Sequence, residues 1–227
     1  MLWSKAIGAG GAGGAGGAYV FPSATILTSF ASGTTRPTGL AFDGTNLISC
    51  HDIPQAIYVY DGVSSTVLTS FAAPSNQARG LTFDGTNLIS CAPGTDLIYV
   101  HDGVSSTILT SFAAPGVSPS ELTFDGTNLI SCDPDTNRIY VHDGVSSTVL
   151  TSFASPGGEP KGLAFDGTNL ISCDYGTDLI YVHDGVSSTI LTSFAAPSSL
   201  PFGLTFDGTN LISCDLSSAT IYVHDTA

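Results

Sequence analysis

Short apolar runs separated by glycine, aspartate and serine follow one another along the chain, and no segment has the three-and-four spacing of an amphipathic helix. One stretch shows the pattern. Gly80–Phe83 and Thr86–Cys91 read as strands joined at Asp84-Gly85, a pair that favours a tight hairpin. A varied loop leads to a third strand, Ile98–His101, and Asp102-Gly103 turns the chain into a fourth, Ser106–Phe112.

The same unit recurs with a period of 41 residues. FDGTNLISC occurs five times, its phenylalanine at Phe42, Phe83, Phe124, Phe165 and Phe206, and its cysteine at Cys50, Cys91, Cys132, Cys173 and Cys214. The T(V/I)LTSF segments keep step, ending at Phe30, Phe71, Phe112, Phe153 and Phe194. Four short strands in a repeat of this length make a propeller blade, and a closed ring protects strand edges that an open stack would expose. The last unit stops after its third strand, at Ile221–Asp225, while an unpaired fourth strand, Ala24–Phe30, precedes the first unit. Pairing the two closes the ring. The expected fold is therefore all-β: a five-bladed β-propeller of four-stranded antiparallel blades, over residues 23–227, with an N-terminal strand completing the last blade. Residues 1–22 form a separate Gly/Ala-rich tail.

The pattern of Leu200–Asp225, LPFGLTFDGTNLISCDLSSATIYVHD, resembles the YVTN/NHL-type propeller repeats, with their P-x-G, Asp-Gly turn and closing Y-V-x-D. The resemblance implies the fold over about 205 residues and leaves function open, since such propellers serve as enzymes, receptors, adhesins and scaffolds.

Composition narrows the partners. Nineteen acids against five Lys/Arg give a net charge of −14, which argues against nucleic acid or an anionic membrane. No stretch approaches the roughly 18 to 20 uninterrupted apolar residues of a membrane-spanning helix. The N-terminus lacks the continuous apolar core and cleavage site of a secretory signal, because glycine interrupts everything after Ile7.

Comparing the five repeats places the variation in two loops, one after each cysteine and one before each first strand. In a meander both emerge on one face of the disk, while the near-invariant DGTN and DGVSS turns lie on the other. Four of the five cationic residues, Arg36, Arg79, Arg138 and Lys161, sit in the varied loops, as do the non-repeated Tyr175, Phe202 and His51. Loops on a rigid scaffold commonly carry binding, so these seven residues are the candidate ligand-binding face.

The remaining chemistry reads as structural. One cysteine per blade, with no CxxC or Cys/His cluster, points to small core-filling thiols. His101, His142, His183 and His224 recur at one position where the first copy has Tyr60; tyrosine keeps a hydrogen bond there but not a general base. Asp133-Pro-Asp135-Thr-Asn137 opens like a calcium loop but lacks its glycine and its bidentate glutamate. Gly8–Gly13 satisfies GxGxxG without the strand and helix that motif needs. No catalytic residue, metal site or cofactor is expected.

These readings lead to an expectation of a non-enzymatic recognition or adhesion propeller on a virion or microbial surface, its varied face meeting a glycan or surface receptor. The alternative is a structural subunit of a filament or capsid. In both, residues 1–22 attach the ring to a homo-oligomer or larger assembly, with Leu2, Trp3 and Ile7 as anchors. The WSK opening before GAGGAGG also resembles the N-termini of some phage tail and virion-surface proteins. Without a signal peptide, the expected location is a virion or extracellular surface, or else the cytoplasm.

Overall fold

A computed structural model describes residues 22–34 and 36–225. The expected tail anchors Leu2, Trp3 and Ile7, and the resemblance carried by the N-terminus, lie outside these residues. Among the described residues there are twenty strands and no helix, arranged as five four-stranded antiparallel sheets around a ring. The chain is a five-bladed β-propeller.

The second blade comprises strands Leu81–Phe83, Leu88–Ala92, Leu97–His101 and Ile108–Ala113, ordered from the axis outward. Closure follows the expected pairing. Ile26–Ala31 lies antiparallel to Thr220–His224, with Ile26 opposite His224 and Phe30 opposite Ile221. The amide of Ser23 extends the seam by donating to the Asp225 carbonyl at 3.0 Å. An apolar layer completes it: Leu40, Leu47 and Tyr60 of the first blade pack with Phe202, Ile212, Cys214, Ile221 and Val223 of the last. The core is divided in this way into layers between adjacent blades. That is why Leu-Ile-Ser-Cys of every second strand is buried on both faces and reads as a continuous run.

Each uniform turn is held by its own sequence. In Asp43-Gly44-Thr45-Asn46 the Asp43 carboxylate accepts from the amides of Thr45 (2.9 Å) and Asn46 (2.7 Å), and Gly44 takes φ +93°, a conformation open to glycine. The Asn46 carboxamide oxygen then accepts from the Gly62 amide at 3.1 Å, tying this turn to DGVSS. Equivalent bonds run from Gly103 to Asn87, Gly144 to Asn128 and Gly185 to Asn169. These turns do not vary because they hold each other.

The repeated histidines fill a structural role. Nδ1 of His101 donates to the Ser105 carbonyl at 2.7 Å, which fixes the tautomer and leaves Nε2 to accept from the Ser90 hydroxyl at 2.9 Å. His142 and His183 repeat both bonds, and His224 reaches Ser213 and the Ser23 carbonyl. In the first blade the Tyr60 hydroxyl bonds to Ser49 and to the Ser32 carbonyl, each at 2.8 Å. Burial lowers the pKa of all four histidines, so each stays neutral in the fold.

A histidine whose folded pKa is depressed holds fewer protons than its unfolded counterpart below about pH 6.5. Stability is therefore full above that pH and is lost as pH falls, with four groups acting in the same direction. We expect the melting temperature to drop steeply below about pH 6.5, and His183→Tyr, which copies the first blade, to fold and to flatten the slope. Calorimetry across pH checks this; an unchanged slope in the variant would reject the assignment.

Candidate active site at the ring axis

The five innermost strands begin on the varied face. The residue entering each of them is Thr38, Arg79, Ser120, Lys161 or Phe202, five equivalent positions with five different side chains. Thr38 and Ser120 are buried, and Thr38 is tied by its hydroxyl to the Cys50 carbonyl at 3.2 Å. Arg79, Lys161 and Phe202 join Thr38 in lining a cavity of about 300 Å³. The varied loops complete its wall with Arg36 and Asp52 from the first blade, Glu159 and Tyr175 from the fourth, and Leu216 from the fifth.

Aromatic rings hold the cations in place. The Arg79 guanidinium lies 5.6 Å from the Phe202 ring centre, and Lys161 Nζ lies 5.7 Å from that centre and 5.9 Å from that of Tyr175. Burial, and next the positive charge of Arg79, push the Lys161 pKa below the usual lysine range. Opposite charge is close: Arg36 pairs with Asp52 Oδ2 at 3.1 Å, while Asp52 Oδ1 has no hydrogen-bond partner. Glu159 is fixed through its backbone, its amide donating to Asp174 Oδ2 at 2.6 Å and its carbonyl accepting from the Tyr175 amide at 3.0 Å. Arg36 and Leu200 hold left-handed backbone, at φ +67° and +71°, in equivalent positions of their loops. Such strain is maintained only where the surroundings impose it.

Five of the seven residues expected on a ligand-binding face, Arg36, Arg79, Lys161, Tyr175 and Phe202, line this cavity. The other two are placed elsewhere. His51 is fully buried, with Nε2 on the Ser49 hydroxyl at 2.7 Å and Nδ1 on Thr34. Arg138 turns outward along its blade and donates to the Ser152 carbonyl and hydroxyl at 3.0 and 2.7 Å. The calcium-like loop is occupied internally, since Asp133 accepts from the amides of Thr136 and Ser118. Among the described residues, no group of three or more His, Cys, Asp or Glu is placed to hold a metal ion.

Sequence reasoning passed over Asp52, Glu159 and Glu121. The first two were legible as acids within the varied loops, Glu159 in the same loop as Lys161. Glu121 had a stronger signal: it replaces the glycine found at that position in the other four repeats, Gly39, Gly80, Gly162 and Gly203. Its carboxyl is fully buried at the axis, one residue beyond Ser120.

No family model matches the chain, and no curated protein matches its sequence. The resemblance to YVTN/NHL-type repeats therefore rests on its motif alone. Among solved structures 1271 chains match, a breadth that by itself singles out no activity. One is the glutaminyl cyclase of Myxococcus xanthus, with a TM-score of 0.77 and 12% identity over 90% of this chain and 96% of that one. At that identity the likeness shows the fold. It also corrects the expectation of a non-enzymatic adhesion propeller or filament subunit, because the same body carries an enzyme. Near-identical blades would by themselves argue against catalysis, since they offer five similar environments. That argument fails at the axis, where Thr38, Arg79, Lys161 and Phe202, four different side chains at equivalent positions, line one cavity.

If Arg79 helps hold the Lys161 pKa down, removing its charge raises that pKa. We expect Arg79→Gln to move the lysine titration, followed by NMR of the reductively methylated protein, toward the ordinary lysine value. An unmoved titration would mean that burial alone sets it.

Proposed function

We propose that the chain is an enzyme whose active centre is the axial cavity, acting on the carbonyl or carboxamide group of a small substrate. The observation that carries this reading is the meeting of a carboxylate, a desolvated lysine and an arginine around aromatic rings, at the level where all five blades differ. Attack on a carbonyl needs an acceptor for the nucleophile's proton and positive charge where the oxygen becomes negative. Glu159, held through its backbone, supplies the acceptor. Arg79 and Lys161 supply the charge, and Phe202 and Tyr175 limit water beside it.

The first reaction to test is cyclisation of an N-terminal glutaminyl residue, because the similar Myxococcus xanthus protein is a glutaminyl cyclase. In that reaction the terminal amine nitrogen bonds to the side-chain carbonyl carbon, the carboxamide C–N bond breaks, and the amine's proton leaves with ammonia. Glu159 would take the proton and return it to the departing nitrogen. Ammonia release is measured from glutaminyl peptides and, in parallel, from asparaginyl peptides and simple primary amides. We expect turnover of at least one of these, and losses on the order of a hundredfold or more in Glu159→Gln and Lys161→Met. Absence of ammonia from every amide offered, or full activity in both variants, would overturn the reading.

A further inference from the structure

The axis below the cavity holds a second arrangement, independent of the proposed chemistry. An innermost strand has no neighbour on its axial side, so main-chain groups on that edge must find partners across the axis. Four of the five strands meet there with glycine. A Cβ on Gly203 would sit 2.9 Å from the Gly39 Cα, and one on Gly162 would sit 2.7 Å from Cys173 Sγ. The axis therefore has no room for side chains from those blades. The third blade contributes the one that enters, Glu121.

Its carboxyl is addressed by amides from several blades. Oε1 accepts from the Leu81 amide of the second blade at 2.7 Å and from the Leu122 amide of its own at 3.2 Å. The amides of Leu204 and Leu40, from the fifth and first blades, also favour its charged form. Each of these leucines follows the axial glycine or glutamate of its strand, so the donors form a ring. Oε2 is buried without a hydrogen-bond partner, so the direct hydrogen bonds to this carboxyl fall on Oε1. Among the described residues no salt bridge involves Glu121; backbone dipoles hold it. Burial works against the charge and raises the carboxyl pKa, with the amide donors opposing that rise.

We propose that the amides of Leu40, Leu81, Leu122 and Leu204 form an anion cage on the ring axis, which the chain fills with the Glu121 carboxyl and which takes a small free carboxylate or halide once that group is removed. Glu121 then acts as a tethered ligand joining blades across the axis. The cage selects by size, since the surrounding glycine backbone and thiols leave space for a formate-sized or chloride-sized ion.

The test uses the full chain with Glu121→Gly, which restores the glycine present in the other four blades. Its thermal unfolding is measured at constant ionic strength in sodium formate, sodium chloride and sodium gluconate, the last too large to enter. We expect the variant to melt below the wild type in gluconate and to recover several degrees, saturably, in formate or chloride. The wild type should not respond. Glu121→Gln, which still fills the cage, should fold and stay insensitive to formate. Equal responses of the glycine variant and the wild type to all three salts would overturn the proposal. So would a glycine variant that fails to fold in formate as it does in gluconate. Response to chloride but not formate would confirm the cage and set its size nearer a single atom. The readout is stability, so a failure of the proposed amide chemistry leaves this result unaffected.

Discussion

Closest approach at the axis is the constraint on which the ring depends. Where the innermost strands meet, a side chain at Gly39, Gly80, Gly162 or Gly203 would collide with backbone or thiol, so four blades must place glycine there. The space behind each glycine suits one small buried group, and every second strand supplies it with cysteine. These thiols also link neighbours: Cys50 Sγ donates to the Ala78 carbonyl at 3.3 Å and Cys173 Sγ to that of Phe202 at 3.4 Å, each across to the next blade. Burial raises their pKa, that of Cys50 to about 12, so they remain protonated donors rather than nucleophiles. A free cysteine in every blade, which looks like a liability in the sequence, follows from the width of the gap between strands.

The two faces of the disk differ because their turns are satisfied differently. On the uniform face, aspartate closes its own turn and asparagine reaches to the next one, so changing either residue leaves amides unpaired. On the varied face, loops make bonds that many side chains can supply. Asp133 and Asp174 each accept from a loop amide, Ser118 and Glu159 respectively, whereas in the fifth blade Leu200 donates to Asp178 and leaves Asp215 Oδ2 unpartnered. The contrast in variability therefore has a structural cause of its own and does not by itself mark a binding face. What marks the cavity is the identity of the residues brought together there.

Most of the fold was legible in the sequence because the period is regular and each Asp-Gly turn has a conformational reason. Strand order, ring closure through Ala24–Phe30 and the facing of the loops all followed from spacing. Depth did not. His51 and Arg138 share the varied loops with Arg36 and Tyr175, but spacing along a chain does not say whether a loop residue turns toward the axis, into the blade or out to the rim. His51 turned inward to satisfy Ser49, and Arg138 lay along the outer strand. Glu121 stands where the other repeats have glycine, but inside a strand, and sequence alone does not say that this strand position faces the axis.

Near-identical blades and a single reactive site are compatible once the required asymmetry is counted in positions rather than in repeats. Strand entry residues sit at the narrow end of each blade, where four side chains from four units line one cavity. Differences that would be dispersed around the rim are concentrated at the axis. Three of these positions, occupied by Arg79, Lys161 and Phe202, suffice to place two cations against one aromatic ring, and neighbouring loops add Glu159 and Tyr175. The body of the blade contributes rigidity in return: its histidine, serine and turn bonds are the same in nearly every copy, so axial residues can change without disturbing what holds them. A ring built by repetition can thus acquire one local chemistry through a handful of substitutions, provided they fall where the symmetry axis brings them together.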